Sequence, residues 1–127
     1  MKDPWTIAID PSLPGKGDWT GCQKFADALF AALKANGTPC REIAYHWRGL
    51  SIAGQPSDVS GIERDHAIVL YRMPTGYFFV MDATSRGVRL ISSDDAATIE
   101  ATAAFFEGVE KETSNVRLLD EANWQAS

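Results

Sequence analysis

The chain has 127 residues, of which 45% are hydrophobic and 23% are charged, and its formal net charge is −5. This length suits a single domain over residues 1–127 and is too short for two independent cores. The acidic balance argues against a nucleic-acid-binding protein, which needs a basic surface to displace counterions. No apolar run reaches the ~18–20 residues of a membrane span. We therefore expect a soluble protein with neither nucleic acid nor a membrane as partner.

The N-terminal part of the chain combines a short strand pattern with a loop. Residues 5–9 alternate loosely between apolar and polar types, which predicts an edge strand. Residues 11–19 contain two prolines and two glycines, a composition typical of a loop. This loop ends at Trp19 and leads directly into the stretch Thr20-Gly21-Cys22.

The most regular pattern of the sequence begins at Cys22. Apolar residues then recur at the spacing of one helix face: Cys22, Phe25, Ala26, Leu29, Phe30 and Leu33. Asn36-Gly37 predicts a left-handed end to this helix, and Pro39 prevents it from resuming. A cysteine at a helix start lies near the positive end of the dipole and unpaired N–H groups. Both favour the thiolate, which is the nucleophilic form.

Strand patterns dominate the middle of the chain. They fall at residues 40–47, 66–72, 77–83 and 88–91, with a long loop predicted at residues 48–65. The second and third patterns are joined by a short turn and predict a hairpin.

The C-terminal part predicts a second helix and a last strand. Ser92-Ser93-Asp94-Asp95 is typical of a helix start, and the apolar spacing continues to about Glu107. Residues 116–119 predict a strand, and we expect the Trp124 ring to pack back on the body. A helix, mostly antiparallel strands and another helix together predict an α+β fold.

The hairpin carries two residues suited to thiol chemistry. His66 opens one apolar strand, and Asp82 follows four apolar residues of the next. A nucleophilic thiol needs a base, and the base needs a group that orients it. A three-residue loop would place His66 directly opposite Asp82, whereas a loop longer by one residue would put them on opposite faces. The three residues Cys22, His66 and Asp82 form a triad only in the first register or with a bulge.

These segments resemble the papain-like superfamily of cysteine enzymes, including its transglutaminase-like branches. The resemblance covers about residues 20–87: a cysteine at a helix start, His-Ala-Ile-Val-Leu-Tyr, a turn, and Tyr-Phe-Phe-Val-Met-Asp-Ala-Thr. The compact form is similar to papain-fold toxin domains of bacterial polymorphic toxins and effectors. It implies a catalytic helix packed on a small antiparallel sheet, with Cys22 as nucleophile, His66 as base and Asp82 as orienting acid.

The resemblance also implies a reaction class and partners. A protease, deamidase or transglutaminase would act on a protein or peptide-like substrate without cofactor or metal ion. A toxin domain would be secreted or delivered within a larger protein, act in a target-cell cytoplasm and be blocked by an immunity protein. Papain itself has a glutamine shortly before the cysteine, and this chain has none there. The Cys22 N–H and the Trp19 indole are then the candidate oxyanion donors.

Other interpretations of the same residues stay open. Cys22 can be a core residue of its helix in a non-catalytic α+β binding module, such as an immunity or adaptor protein. A disulfide between Cys22 and Cys40 would remove the nucleophile. A zinc site would have to combine Cys22, Cys40, His46 and His66, which lack the close ligand spacing of structural zinc sites. His46 itself is interpreted as a structural or rim residue.

Overall fold

In a computed structural model the described residues form two helices and one antiparallel sheet, which confirms the α+β class. The structure describes residues 2–14, 22–50, 61–80, 88–91 and 111–124. The helices are α1 (Pro4–Ala8) and α2 (Cys22–Ala35). The strands are β1 (Cys40–Gly49), β2 (Glu63–Met73), β3 (Gly76–Val80), β4 (Val88–Ile91) and β5 (Lys111–Ala122).

The sheet has five strands in the order β4-β3-β2-β1-β5, and every neighbouring pair is antiparallel. Strands β1 to β4 therefore follow one another across the sheet. The last strand, β5, returns to the other side of β1 and forms an edge. Strands β1, β2 and β3 are internal, so each has a paired strand on both sides.

The helix α2 agrees with its sequence pattern from its first residue. From Phe25 to Leu33 its predicted stripe is buried, with Ala26, Leu29 and Leu33 all at 0% exposure. Gly37 has a φ of 81°, the left-handed conformation expected at the helix end. The N–H of Thr38 donates to the Leu33 carbonyl oxygen and closes the last turn. The predicted helix and its stop are confirmed.

The strand expected at residues 5–9 is wrong, because this segment belongs to helix α1 (Pro4–Ala8). The Asp3 side chain accepts a hydrogen bond from the Trp5 N–H, at 3.0 Å, and Pro4 occupies the first turn. An aspartate cap followed by proline favours a helix start. Pro4 and Ala8 are the buried residues, at the spacing of one helix face rather than of a strand.

Helix α2 covers one face of the sheet, which we call the α2 face. Its buried side chains pack there in one cluster with Ala8, Cys40, Ala67, Val69 and Tyr71. A second buried cluster occupies the opposite face and contains Ile43, Tyr45, Trp47, Ile68, Leu70 and Trp124. Alternate residues of β1 and β2 thus point to different clusters, as the pleat of a strand requires.

The long loop expected at residues 48–65 is wrong at both ends. Strand β1 continues to Gly49, and β2 already begins at Glu63. The N–H of Gly49 donates to the carbonyl oxygen of Ile62, and that of Gly61 donates to Gly49, each at 2.8 Å. Polar side chains of the two strands pair with each other in this region, as His46 does with Asp65 and Glu63. Local composition does not reveal such pairing between distant residues. Residues 51–60 lie outside the described part of the chain.

The C-terminal strand is longer than residues 116–119, since β5 runs from Lys111 to Ala122 along β1. It is an edge strand, so its exposed polar residues need no buried partners. The Trp124 ring packs back on the body, as expected. The residue is 7% exposed and belongs to the cluster on the face opposite α2. The Arg41 and Arg72 guanidinium carbons lie 4.1 and 4.5 Å from its ring centroid.

The predicted helix from Ser92 to about Glu107 lies outside the described residues. Within them, no helix is both long enough and apolar enough to cross a membrane. The hairpin is confirmed, with β4 bounded as the sequence predicts, at Val88–Ile91.

Replacing Leu29 by alanine tests the packing of α2 on the sheet. Leu29 is fully buried, so the change is expected to lower the free energy of unfolding by about 2–5 kcal/mol through lost burial and a cavity. The matched control is Leu118→Ala, because Leu118 is 53% exposed on β5 and its loss is expected to cost less than about 0.5 kcal/mol. Urea unfolding of both variants measures the difference, and equal losses would contradict this placement of α2.

Candidate functional site

Cys22 is the first residue of α2, and the structure describes its backbone position there. The N-terminal turn of α2 lies over β1, because the Gln23 side chain reaches Glu42 of that strand. Because it is the first residue of α2, Cys22 is in the helix position that favours a thiolate. Trp19 and Asp82, the other predicted partners on loop and strand, lie outside the described residues.

The second cysteine is a free thiol in the apolar core. Cys40 is 0% exposed and forms no disulfide, so the possible bridge to Cys22 is not present. Burial raises the pKa of the Cys40 thiol to about 11, with a smaller contribution from the charge of Asp120. A thiol with such a pKa is protonated at neutral pH and is a poor nucleophile.

His66 lies on the opposite face of the sheet from α2. It pairs directly with Tyr45 across the β1–β2 ladder, and their rings meet edge to face with centroids 5.6 Å apart. Tyr45 belongs to the cluster on the opposite face, whereas Ala67, the next residue after His66, faces α2. The structure does not bring His66 to the side of the sheet on which Cys22 starts its helix.

The hairpin register differs from the one that would pair His66 with Asp82. Met73 pairs with Gly76, which leaves a two-residue turn of Pro74 and Thr75. This register is one residue away from that of a three-residue loop, and a shift of one residue exchanges the faces of a strand. The ladder is described as far as Val69 and Val80. The condition set for the triad is not met within it.

A buried polar group, which no pattern in the sequence indicated, lies beneath the first turns of α2. Glu42 is 5% exposed, and its Oε2 accepts a hydrogen bond from Gln23 Nε2 at 3.2 Å. The same Gln23 nitrogen donates to Asp27 Oδ1 at 2.7 Å. Desolvation raises the pKa of Glu42 to about 8, with a further rise from its hydrogen bond to Asp27 and from the charges of Asp27 and Asp120. Glu42 is therefore largely protonated at neutral pH.

A second polar group lies further along β1 and joins three residues that sequence reasoning kept apart. His46 Nδ1 is 3.1 Å from Asp65 Oδ1, and its Nε2 is 3.5 Å from Glu63 Oε1. His46 and Asp65 are direct partners in the β1–β2 ladder. Hydrogen bonds to Asp65 and then Glu63 raise the pKa of His46. Pairing of the two carboxylates with one imidazole favours the imidazolium form.

The two histidines lie on different faces of the sheet, which bears on the zinc alternative. His46 contacts Glu63 and Asp65 on the α2 face, while His66 contacts Tyr45 on the opposite face. One metal ion cannot bind both side chains across a packed sheet. Among the described residues, no group of three or more His, Cys, Asp or Glu side chains is arranged to hold a metal ion.

A cavity of about 860 Å³ opens where β2 turns into β3. Its lining includes Lys2, Asp3, Thr38, Arg72 and Met73, from the N-terminal segment, the connection after α2 and the hairpin. Helix α2 has 14 residues, so its two ends are about 21 Å apart. The cavity is at the C-terminal end of α2 and is therefore remote from Cys22.

Replacing Glu42 by glutamine tests the buried carboxyl group. The unfolded chain loses this proton near pH 4.5 and the folded chain near pH 8, so between these values the folded state binds more protons. Stability of the wild type should therefore fall as pH rises through this window, by roughly 2–5 kcal/mol, and Glu42→Gln should remove most of that fall. Urea unfolding at pH 5, 7 and 9 measures it. The control Glu112→Gln, at an exposed position, should keep the wild-type slope, and an unchanged slope in Glu42→Gln would refute the assignment.

Comparison with known proteins identifies no relative on which a function could be based. No protein-family model, curated protein or solved structure matches the chain. The function must therefore be argued from the residues themselves. They offer a cysteine at the start of α2, an inert cysteine in the core, and two histidines on opposite faces of the sheet.

Proposed function

We propose that the protein is a thiol-dependent acyl-transfer enzyme of the papain-like type, with Cys22 as its nucleophile. The observation that carries this proposal is the position of Cys22 at the first residue of α2. The N-terminal amides of a helix stabilise a thiolate there. The contrast with Cys40 adds support, because that thiol is buried and free and its pKa is raised to about 11.

The proposed reaction follows from the chemistry of a thiolate. The Cys22 sulfur attacks the carbonyl carbon of an amide or ester, a C–S bond forms, and the carbonyl electron pair moves to oxygen. As this pair returns, the bond to the leaving group breaks, and an imidazolium donates a proton to the departing nitrogen or oxygen. Water or an amine then attacks the thioester, gives its proton to the imidazole and releases Cys22.

The second nucleophile decides the outcome of this reaction. Water on a peptide bond gives proteolysis, water on a glutamine side chain gives deamidation, and a lysine amine gives transglutamination. All three share the thioester at Cys22. The resemblance to toxin domains extends the proposal to delivery into a target cell and to an immunity protein as partner.

Of the papain-like triad, the position of Cys22 supports the proposal and the position of His66 does not. His66 packs against Tyr45 on the opposite face from α2. This observation favours the second candidate function, a non-catalytic α+β binding module in which Cys22 is a helix residue without chemistry. The two candidates differ in the reactivity of one thiol.

Alkylation of the folded protein with iodoacetamide, as a function of pH, tests the proposal. We expect Cys22 to react with an apparent pKa at least about one unit below the ~8.5 of a free cysteine. Cys40 provides an internal control, since it should react only after unfolding. Peptide mass spectrometry separates the two sites. A Cys22 pKa at or above about 8.5 would favour the binding module.

A chromogenic ester shows whether the thiol transfers an acyl group. With p-nitrophenyl acetate, the wild type is expected to release a burst of one p-nitrophenolate per molecule and to gain one acetyl group at Cys22. Cys22→Ala should lose both, whereas Cys40→Ala should retain both. An equal burst from Cys22→Ala would exclude Cys22 as the nucleophile.

A further inference from the structure

We propose that His46, held by Asp65, is the histidine that serves Cys22, in place of His66. This inference rests on the proposed function and names the proton-transfer group of the same site. It depends on three observations: the face of the sheet on which His46 lies, the direction of β1 relative to α2, and the hydrogen bonding of the imidazole.

The face is fixed by the register of β1 with β2. Cys40 pairs with Tyr71, Glu42 with Val69, Ala44 with Ala67 and His46 with Asp65. Cys40, Ala67, Val69 and Tyr71 all belong to the cluster that packs against α2. Because alternate residues share a face, His46 and Asp65 continue the α2 face beyond that cluster. The contact of His46 with Glu63, two residues from Asp65, agrees with this placement.

The direction of β1 brings its later residues toward the start of α2. Helix α2 ends at Ala35, and the short connection 36–39 leads into β1, which runs back along the helix. Lys34, near the helix end, acts on the charge of Cys40, whereas Gln23 and Asp27 of the first turns contact Glu42. Along β1, the order from Cys40 to His46 therefore leads from the end of α2 past its first turns.

The imidazole is held in the form that a thiol enzyme requires. Asp65 binds Nδ1 at 3.1 Å and so fixes the ring, as the orienting acid of a triad does. The contact from Nε2 to Glu63 is longer, 3.5 Å, and the Glu63 side chain is 58% exposed. The His46 side chain as a whole is 32% exposed. Nε2 then takes the Cys22 proton and later gives it to the leaving group, with no net proton gained or lost.

The test compares the two histidines of the chain in the rate of Cys22 alkylation. We expect His46→Asn to raise the apparent pKa of Cys22 toward about 8.5 and to slow its alkylation at pH 7 roughly tenfold. His66→Asn is the matched control and should leave both values unchanged. Asp65→Asn should shift the pH profile in the same direction as His46→Asn, and Glu63→Gln should shift it in that direction by less, because Glu63 contributes less than Asp65 to the raised pKa of His46. Unfolding midpoints establish that each variant is folded.

The possible outcomes separate the inference from the proposed function. If His66→Asn slows alkylation and His46→Asn does not, the inference is overturned and the thiol enzyme stands with His66. If neither variant changes an already low Cys22 pKa, the inference is also overturned, since the helix alone activates the thiol. If wild-type Cys22 has no lowered pKa, the proposed function itself fails.

Disulfide trapping provides a second measurement that does not depend on activity. In a Cys40→Ala background, His46→Cys is expected to form a disulfide with Cys22 under mild oxidation, and His66→Cys is not. A disulfide requires Cα atoms within about 7 Å, so cross-linking reports proximity directly. Trapping with His66→Cys alone would overturn the inference.

Discussion

The antiparallel pairing of β1 with β2 is the constraint on which the rest of the structure depends. It runs unbroken from Cys40 opposite Tyr71 to Arg48 opposite Glu63 and assigns every side chain of both strands to a face. A shift of one residue would exchange the two faces. The apolar cluster under α2 and the cluster around Trp47 would then both lose their members, at a cost of many kcal/mol in buried area. The positions of the two histidines are as firmly fixed as this register, because they are part of it.

The α2 face provides two different environments along one strand. At the end of α2, Cys40 is surrounded by apolar side chains, and burial keeps its thiol protonated. At the start of α2, Glu42 is buried but bonded to Gln23, and its raised pKa keeps it largely neutral. Neutralisation avoids the large penalty of an unpaired buried charge. Cys22 precedes Gln23 at this polar end of the α2 face, whereas Cys40 lies at the apolar end.

The sequence was sufficient for elements whose signals are local and insufficient where distant residues decide. The stripe from Cys22 to Leu33 and the stop at Gly37 lie within one segment, and α2 has the predicted bounds. Helix α1 was missed because a cap from Asp3 outweighed a weak alternation. The ends of β1 and β2 were missed because Arg48, Glu63 and Asp65 look like loop residues until their partners are known. The position of Cys22 could be predicted, whereas the face of His66 could not, since it depends on the register between strands that a long segment separates.

The order of residue types in a sequence is therefore not enough to decide which residues form a triad. The resemblance to papain-like enzymes consists of a cysteine at a helix start, a histidine on a strand and an aspartate on the next strand. In its sequence this chain has that order of residue types twice, once as His66 and Asp82 and once as His46 and Asp65. Among the described residues, His46 and Asp65 are joined by a hydrogen bond and lie on the face that α2 covers, whereas Asp82 of the first pair lies outside the described residues. A motif defined by order favours the first pair because apolar strands flank it, whereas our proposal of His46 rests on the face that it shares with α2, because proton transfer to a thiol requires a shared face.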